Sequence, residues 1–353
     1  MKIYIILVSM LLIFNIYTQQ RIVSKRAKRF LYIISIISIA LIIGLRDYAV
    51  GFDTETNIYI FNIISSMDLK STIISPPWNL ERGYLLFIWI IGQFTKNASI
   101  FLLIISFFDL FLVGRWIWIN SKTPFLSLII FTCVFLTFFL TGMRQSIAIS
   151  IILFAYDDIK SKKLIGFLFK VFIASLFHIS ALVFLFAYPL AKLKWERIYL
   201  LALAIAFPIV YFVRISIFSN ILTQIEKYSD FMILDHGAPV TYTLLLILII
   251  LSAFIISKGK ISDKKELQIN FNIVAFAIII MPLVSVNGSI MRVAMYFSIF
   301  ICLLLPQIYN LIVDRNLRLI FEMITIALLI ILFFYNIINS QTYIYHFINF
   351  NNY

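Results

Sequence analysis

From Ile3 to Ile338 the sequence returns repeatedly to unbroken apolar runs, many near the roughly 20 residues that a helix needs to cross a hydrocarbon core about 30 Å thick. The runs are continuous rather than alternating, so they spell helices and not barrel strands, and each helix closes its own backbone hydrogen bonds in lipid. Charged residues make up only 13% of the chain, against about 25% in soluble domains, too few to cover a water-facing surface. The expectation is an all-α, polytopic transmembrane helical bundle of about ten to twelve membrane segments. No linker, repeat or folded extramembrane region divides it, so residues 1–353 read as one integral membrane domain, with external loops at 46–82 and 214–241.

The net charge of +13 does not form one basic face. Lysines and arginines sit in short groups between spans, which argues for membrane orientation and against nucleic acid as a partner. Cys133 and Cys302 lie inside apolar runs, as small buried thiols do. The run Ile3–Tyr17 follows Lys2 as a signal peptide would, but no small-residue cleavage pattern follows it, and it reads as a span. Basic clusters stay cytoplasmic, so Arg21, Lys25, Arg26, Lys28 and Arg29 place the N-terminus outside.

Two segments control the rest of the topology. Gly83–Phe94 is short for a span, and Leu164–Leu190 is long for one. If both cross once, the loops holding Arg115 and Lys122, and Lys160, Lys162 and Lys163, fall outside and break the charge rule twice. If Gly83–Phe94 stays interfacial or re-enters, and Leu164–Leu190 folds as two half-helices hinged near Phe177-His178, both loops become cytoplasmic. The second arrangement is the expected one. It gathers Asp53, Arg144, His178 and Arg292 on the external side.

Ionisable groups within or beside apolar runs cost about 2.5 to 3.5 kcal/mol each on insertion scales, which makes them functional candidates. Arg144 stands between two strongly apolar stretches with no basic neighbour, and its guanidinium suits phosphate oxygens. Arg292 follows the polar break Asn287-Gly288-Ser289 in the same way. For both, the ordinary alternative is an interfacial arginine reaching toward lipid headgroups. His178 and Asp53 are each able to take a proton from a sugar hydroxyl, and the residues alone do not rank them. The remaining histidines, His236 and His346, are isolated, and no cysteine or carboxylate pair stands at ligand spacing, so neither a metal nor another cofactor is expected.

An ordered set of short motifs then resembles the EpsG/Wzy-like polysaccharide polymerases of bacterial inner membranes. They are Gly44-Leu45-Arg46, Gly51-Phe52-Asp53-Thr54, Glu81-Arg82-Gly83-Tyr84, Gly142-Met143-Arg144-Gln145 with Ala148, the run Ala174–Leu182, and Arg292 with Tyr296-Phe297. Arg82 stands where a proline is usual in that family, and Met143 where an isoleucine is. The resemblance implies a GT-C-like glycosyltransferase of the bacterial inner (cytoplasmic) membrane. Such an enzyme joins polyprenyl-pyrophosphate-linked oligosaccharide repeat units into O-antigen, capsular or exopolysaccharide chains. It implies catalytic roles for Asp53, Arg144, His178 and Arg292 and substrate contacts for Arg46, Glu81, Gln145 and Tyr296. The implied partners are the lipid-linked oligosaccharide, membrane lipids and a chain-length regulator protein. The alternative from another class is a transporter or flippase of an anionic lipid-linked glycan, in which the same arginines bind the substrate during alternating access.

Overall fold

A computed structural model describes residues 1–20, 22–194, 196–222 and 239–347. Arg21 of the first basic loop, His236 and most of the expected 214–241 loop lie outside the described residues. The first residues of that loop continue a helix as far as Leu222. No strand occurs among the described residues, and a single antiparallel bridge joins Arg46 to Phe347. Among the described residues, seven helices are long and apolar enough to cross a membrane, one further pair does so across a 48° bend, and four apolar helices are shorter. The all-α, multi-pass architecture follows from the apolar runs.

The first of two compact units holds Met1–Asp158, Ile165–Leu182 and Asn316–Tyr353. It opens with α1 (Lys2–Gln19) and α2 (Lys25–Gly44). The polar stretch that follows is more than a loop, because α3 (Thr54–Ile64) and α4 (Leu69–Ile74) form within it. Their apolar residues explain why. Ile58, Phe61 and Ile64 of α3 are buried with Tyr84, Leu85 and Ile88 of α5 (Arg82–Phe94), and Phe61 stacks on Phe101 at 4.2 Å. At 13 residues, α5 is about 20 Å long, short of a crossing.

Next come α6 (Ala98–Asn120), α7 (Pro124–Thr141), α8 (Met143–Ile152), α9 (Ala155–Ser161) and α10 (Leu164–Ser175). The 164–190 run breaks after Ser175 and resumes as a 3₁₀ turn at Ile179–Phe186 and α11 (Ala187–Leu190), so the hinge falls at Phe177-His178 as expected. Lys28 and Lys122 line the same cavity, which places the loops after α1 and after α6 at one end of this unit. That shared end is what the charge pattern asks for if α5 does not cross.

The second unit holds Ile159–Leu164 and Val183–Arg315, with α12 (Glu196–Leu222), α13 (Val240–Ile256), α14 (Lys265–Val284), α15 (Met291–Ser298) and α16 (Ile301–Tyr309). Its centre is α14, where Asn272 donates to the carbonyls of Leu190 and Leu193 at 2.9 and 2.8 Å and Asn270 to Gln307 at 3.0 Å. Phe184 stacks on Phe300 nearby. The last helix, α17 (Arg315–Ile338), belongs to the first unit but for its first residue. After it the chain folds back, pairing His346 O with Asp47 N and Thr342 O with Gly51 N, each at 2.9 Å.

Gly51 has φ +92°, and a Cβ there would strike the carbonyl of Leu140. The left-handed backbone and the close approach both require glycine. Gly51→Ala should therefore lower the melting temperature in detergent, at a cost of about 1–3 kcal/mol. Gly288→Ala is the matched control, because a Cβ there meets nothing within 4 Å and its melting temperature should stay at the wild-type value.

Candidate functional site

The carboxylate of Glu81, in the loop entering α5, is the meeting point of three chain segments. Arg144, in the first turn of α8, donates from Nη1 to Glu81 Oε2 at 2.7 Å. Glu81 Oε1 lies 3.2 Å from Nδ1 of His178 at the hinge and accepts the backbone N–H of Ile179 at 3.1 Å. All three side chains are partly buried, Glu81 at 15% exposure, His178 at 18% and Arg144 at 29%, so they are shielded yet reachable.

Local sequence sets this up. The chain breaks at Gly142 between α7 and α8, so Arg144 starts a new helix instead of lying mid-span. Gly83 lets the start of α5 press against the hinge, since a Cβ there would sit 2.6 Å from Cβ and 2.7 Å from O of Leu176. That closeness allows Tyr84 N to donate to Leu176 O at 3.1 Å. The Tyr84 hydroxyl then donates to Asn57 at 2.7 Å, and it feels the charges of Arg144, Glu81 and Asp53. Asp53 stands at the N-cap position of α3, one turn before Asn57, its carbonyl accepting from Asn57 Nδ2 at 2.6 Å.

The structure thus brings together Glu81, Arg144 and His178, with Asp53 in their electrostatic neighbourhood. Arg46 does not join them. It is 2% exposed, donating from Nη1 to Ile43 O at 2.5 Å and from Nε to Thr54 Oγ1 at 3.3 Å, where it closes the end of α2. Gln145 is buried in α8. Arg292, at the start of α15, and the buried Tyr296 belong to the second unit.

Sequence reasoning passed over Asp109. It is 2% exposed within α6 and accepts a 2.6 Å hydrogen bond from Ser146 Oγ, two residues after Arg144 in sequence. The signal was present, because a carboxylate inside an apolar run is the kind of residue that insertion cost singles out. Among the described residues, no group of three or more His, Cys, Asp or Glu side chains is placed to hold a metal ion.

A family model described as the EpsG family matches residues 29–352. The chain belongs to the EpsG family. No curated protein and no solved structure matches it. Membership supports a role of the polysaccharide-polymerase type, in a multi-pass membrane protein that works in polysaccharide biosynthesis on lipid-linked glycans.

Burial alone would raise the Glu81 pKa, but the His178 hydrogen bond and the Arg144 charge outweigh it and hold the carboxyl at about 2, against an ordinary 4.5. A depressed carboxylate pKa stabilises the fold above the unfolded value and stops doing so as pH falls through the folded one. The melting-temperature gap between wild type and Glu81→Gln should therefore be constant above pH 4.5 and narrow between 4.5 and 2. Melting curves of both proteins across that range check it.

Proposed function

We propose that this EpsG-family protein is a polysaccharide polymerase that transfers a growing glycan from its polyprenyl pyrophosphate to the non-reducing end of an incoming lipid-linked repeat unit, at the external face of the bacterial inner membrane. One observation carries the reading: a single carboxylate holds a histidine on one oxygen and an arginine on the other.

The two partners suit the two halves of a glycosyl transfer. Glu81 on Nδ1 of His178 orients the imidazole, leaving Nε2 to take the proton of the attacking hydroxyl. As that oxygen bonds to the anomeric carbon of the donor glycan, the carbon–oxygen bond to pyrophosphate breaks and the electron pair departs with the phosphate oxygen. The N–H groups of Arg144 not engaged by Glu81 are positioned to stabilise that leaving charge, as cationic clamps do for phosphoryl groups. This ordering favours His178 over Asp53 as the base. In it Asp53 shapes the surrounding field and the α3 terminus. Arg292 remains a separate candidate for phosphate binding within the second unit.

The external placement rests on charge. Lys28 and Lys122 share one end of the first unit, and Gly142-Arg144 follows the opposite end of α7, about 27 Å away along its 18 residues. With the basic end cytoplasmic, the Glu81 cluster faces outward.

His178→Ala and Arg144→Ala should each cut chain extension by at least ~10²-fold, leaving one-repeat glycans on gels of surface polysaccharide while membrane levels of the protein stay normal. Arg292→Ala is read in the same assay. Near-wild-type ladders from both His178→Ala and Arg144→Ala would sink the proposal, and a lipid-linked repeat accumulating on the cytoplasmic side would point to a flippase instead. Gly83→Ala tests positioning. By pushing Leu176 away it should separate His178 from Glu81 and shorten the glycans, although it removes no polar group.

A further inference from the structure

At the end of the first unit opposite the Glu81 cluster, two neighbouring concavities have no part in glycosyl transfer. One is a groove of about 380 Å³ between α2 and α6. Its walls are apolar and open, with Ile33 and Ile37 on α2 and Phe107 and Phe111 on α6 all exposed. The groove runs toward Arg29 and Arg115, both also exposed, and among the described residues neither makes an ion pair. From Ile37 to Arg29, and from Phe107 to Arg115, is eight residues, about 12 Å of apolar length ending in a guanidinium on each wall. Tyr32 links the two helices along it, donating to Gly114 O at 2.8 Å.

The other is a polar cavity of about 460 Å³ that shares Trp118 with the groove and is bordered by Lys28, Lys122, Ser121 and the amides of Asn15 and Gln19. Glu322 accepts from Asn15 at 3.3 Å and Gln19 at 3.0 Å, and among the described residues it forms no ion pair with Lys28 or Lys122. An occupant must offer hydrocarbon to the groove, anionic oxygen to two arginines at the membrane edge, and a polar group to a cationic cavity.

We propose that this end of the protein binds one anionic phospholipid of the cytoplasmic leaflet, its chain along the α2–α6 groove, its phosphate between Arg29 and Arg115, and its headgroup toward Lys28 and Lys122. An extended peptide would bring unsatisfied backbone groups to an apolar wall, and a zwitterionic lipid would leave the excess of cations without a counter-charge. The site is independent of glycan chemistry, so its test needs no activity assay.

Native mass spectrometry of the full chain, released from detergent with equal phosphatidylglycerol and phosphatidylcholine, reads lipid retention directly. The wild type should keep one phosphatidylglycerol with at least a ~10-fold preference, about 1.4 kcal/mol. Arg29→Gln/Arg115→Gln should lose that preference. Ile37→Trp, which fills the groove and leaves every charge in place, should lose the lipid itself. Equal retention of the two lipids, wild-type retention by the double variant, or displacement of the lipid by millimolar glycerol phosphate would each overturn the proposal. Melting temperatures in lipid-free detergent should be the same for all three proteins, as expected for changes at exposed positions.

Discussion

A carboxylate at the edge of a membrane is costly unless its lone pairs are occupied, and Glu81 meets that requirement with donors drawn from two distant stretches of chain, Arg144 and the His178-Ile179 hinge. The dependence is mutual. Without Glu81, a guanidinium and an imidazole would stand partly desolvated with no counter-charge, which is the more expensive way to break such a pair. The same carboxylate ties the entrance of α5 to the start of α8 and to the 176–178 break. The fold and the chemistry therefore share one anchor.

Much of the frame was legible because lipid leaves the backbone few choices. Long apolar runs had to become helices, and a 27-residue run interrupted by His178 had to bend. The break at Gly142 was legible for the same reason, since Arg144 would be expensive in the middle of a continuous span. What stayed hidden depends on contacts between remote segments. Glu81 lies 63 residues from Arg144 and 97 from His178, and nothing in its immediate neighbours announces the partnership. Arg46 reads as a loop arginine, yet it is enclosed by Ile43, Thr54 and the chain beyond α17, all of which would have to be known together. The helices at Thr54–Ile64 and Leu69–Ile74 were masked by the polar residues around them, because burial on α5, rather than crossing a membrane, is what orders them.

The first unit is polarised along its length. One end concentrates cations that form no ion pair among the described residues, Arg29 and Arg115 among them. The other end holds polar groups that satisfy each other, Glu81 with Arg144 and His178 and Tyr84 with Asn57. Free cations suit an anionic lipid surface, whereas mutually satisfied groups keep their geometry in the absence of substrate and need little rearrangement when it arrives. The two ends thus solve different electrostatic problems with the same few residue types.

The fold-back of the chain after α17 has a bearing on how such a protein is made. Tyr345 donates to the carbonyl of Ile42 across 303 residues of sequence, beside the backbone bonds that Gly51 and Asp47 donate to the carbonyls of Thr342 and His346. During synthesis, the segment leading to Asp53 has left the ribosome long before its partners exist, and it must wait with its amides in water while every intervening helix inserts. Maturation of the Asp53 region is therefore a late event in biogenesis. A ribosome that stalls, or a translocon that misplaces α17, would leave an inserted protein with this part of the first unit unfinished.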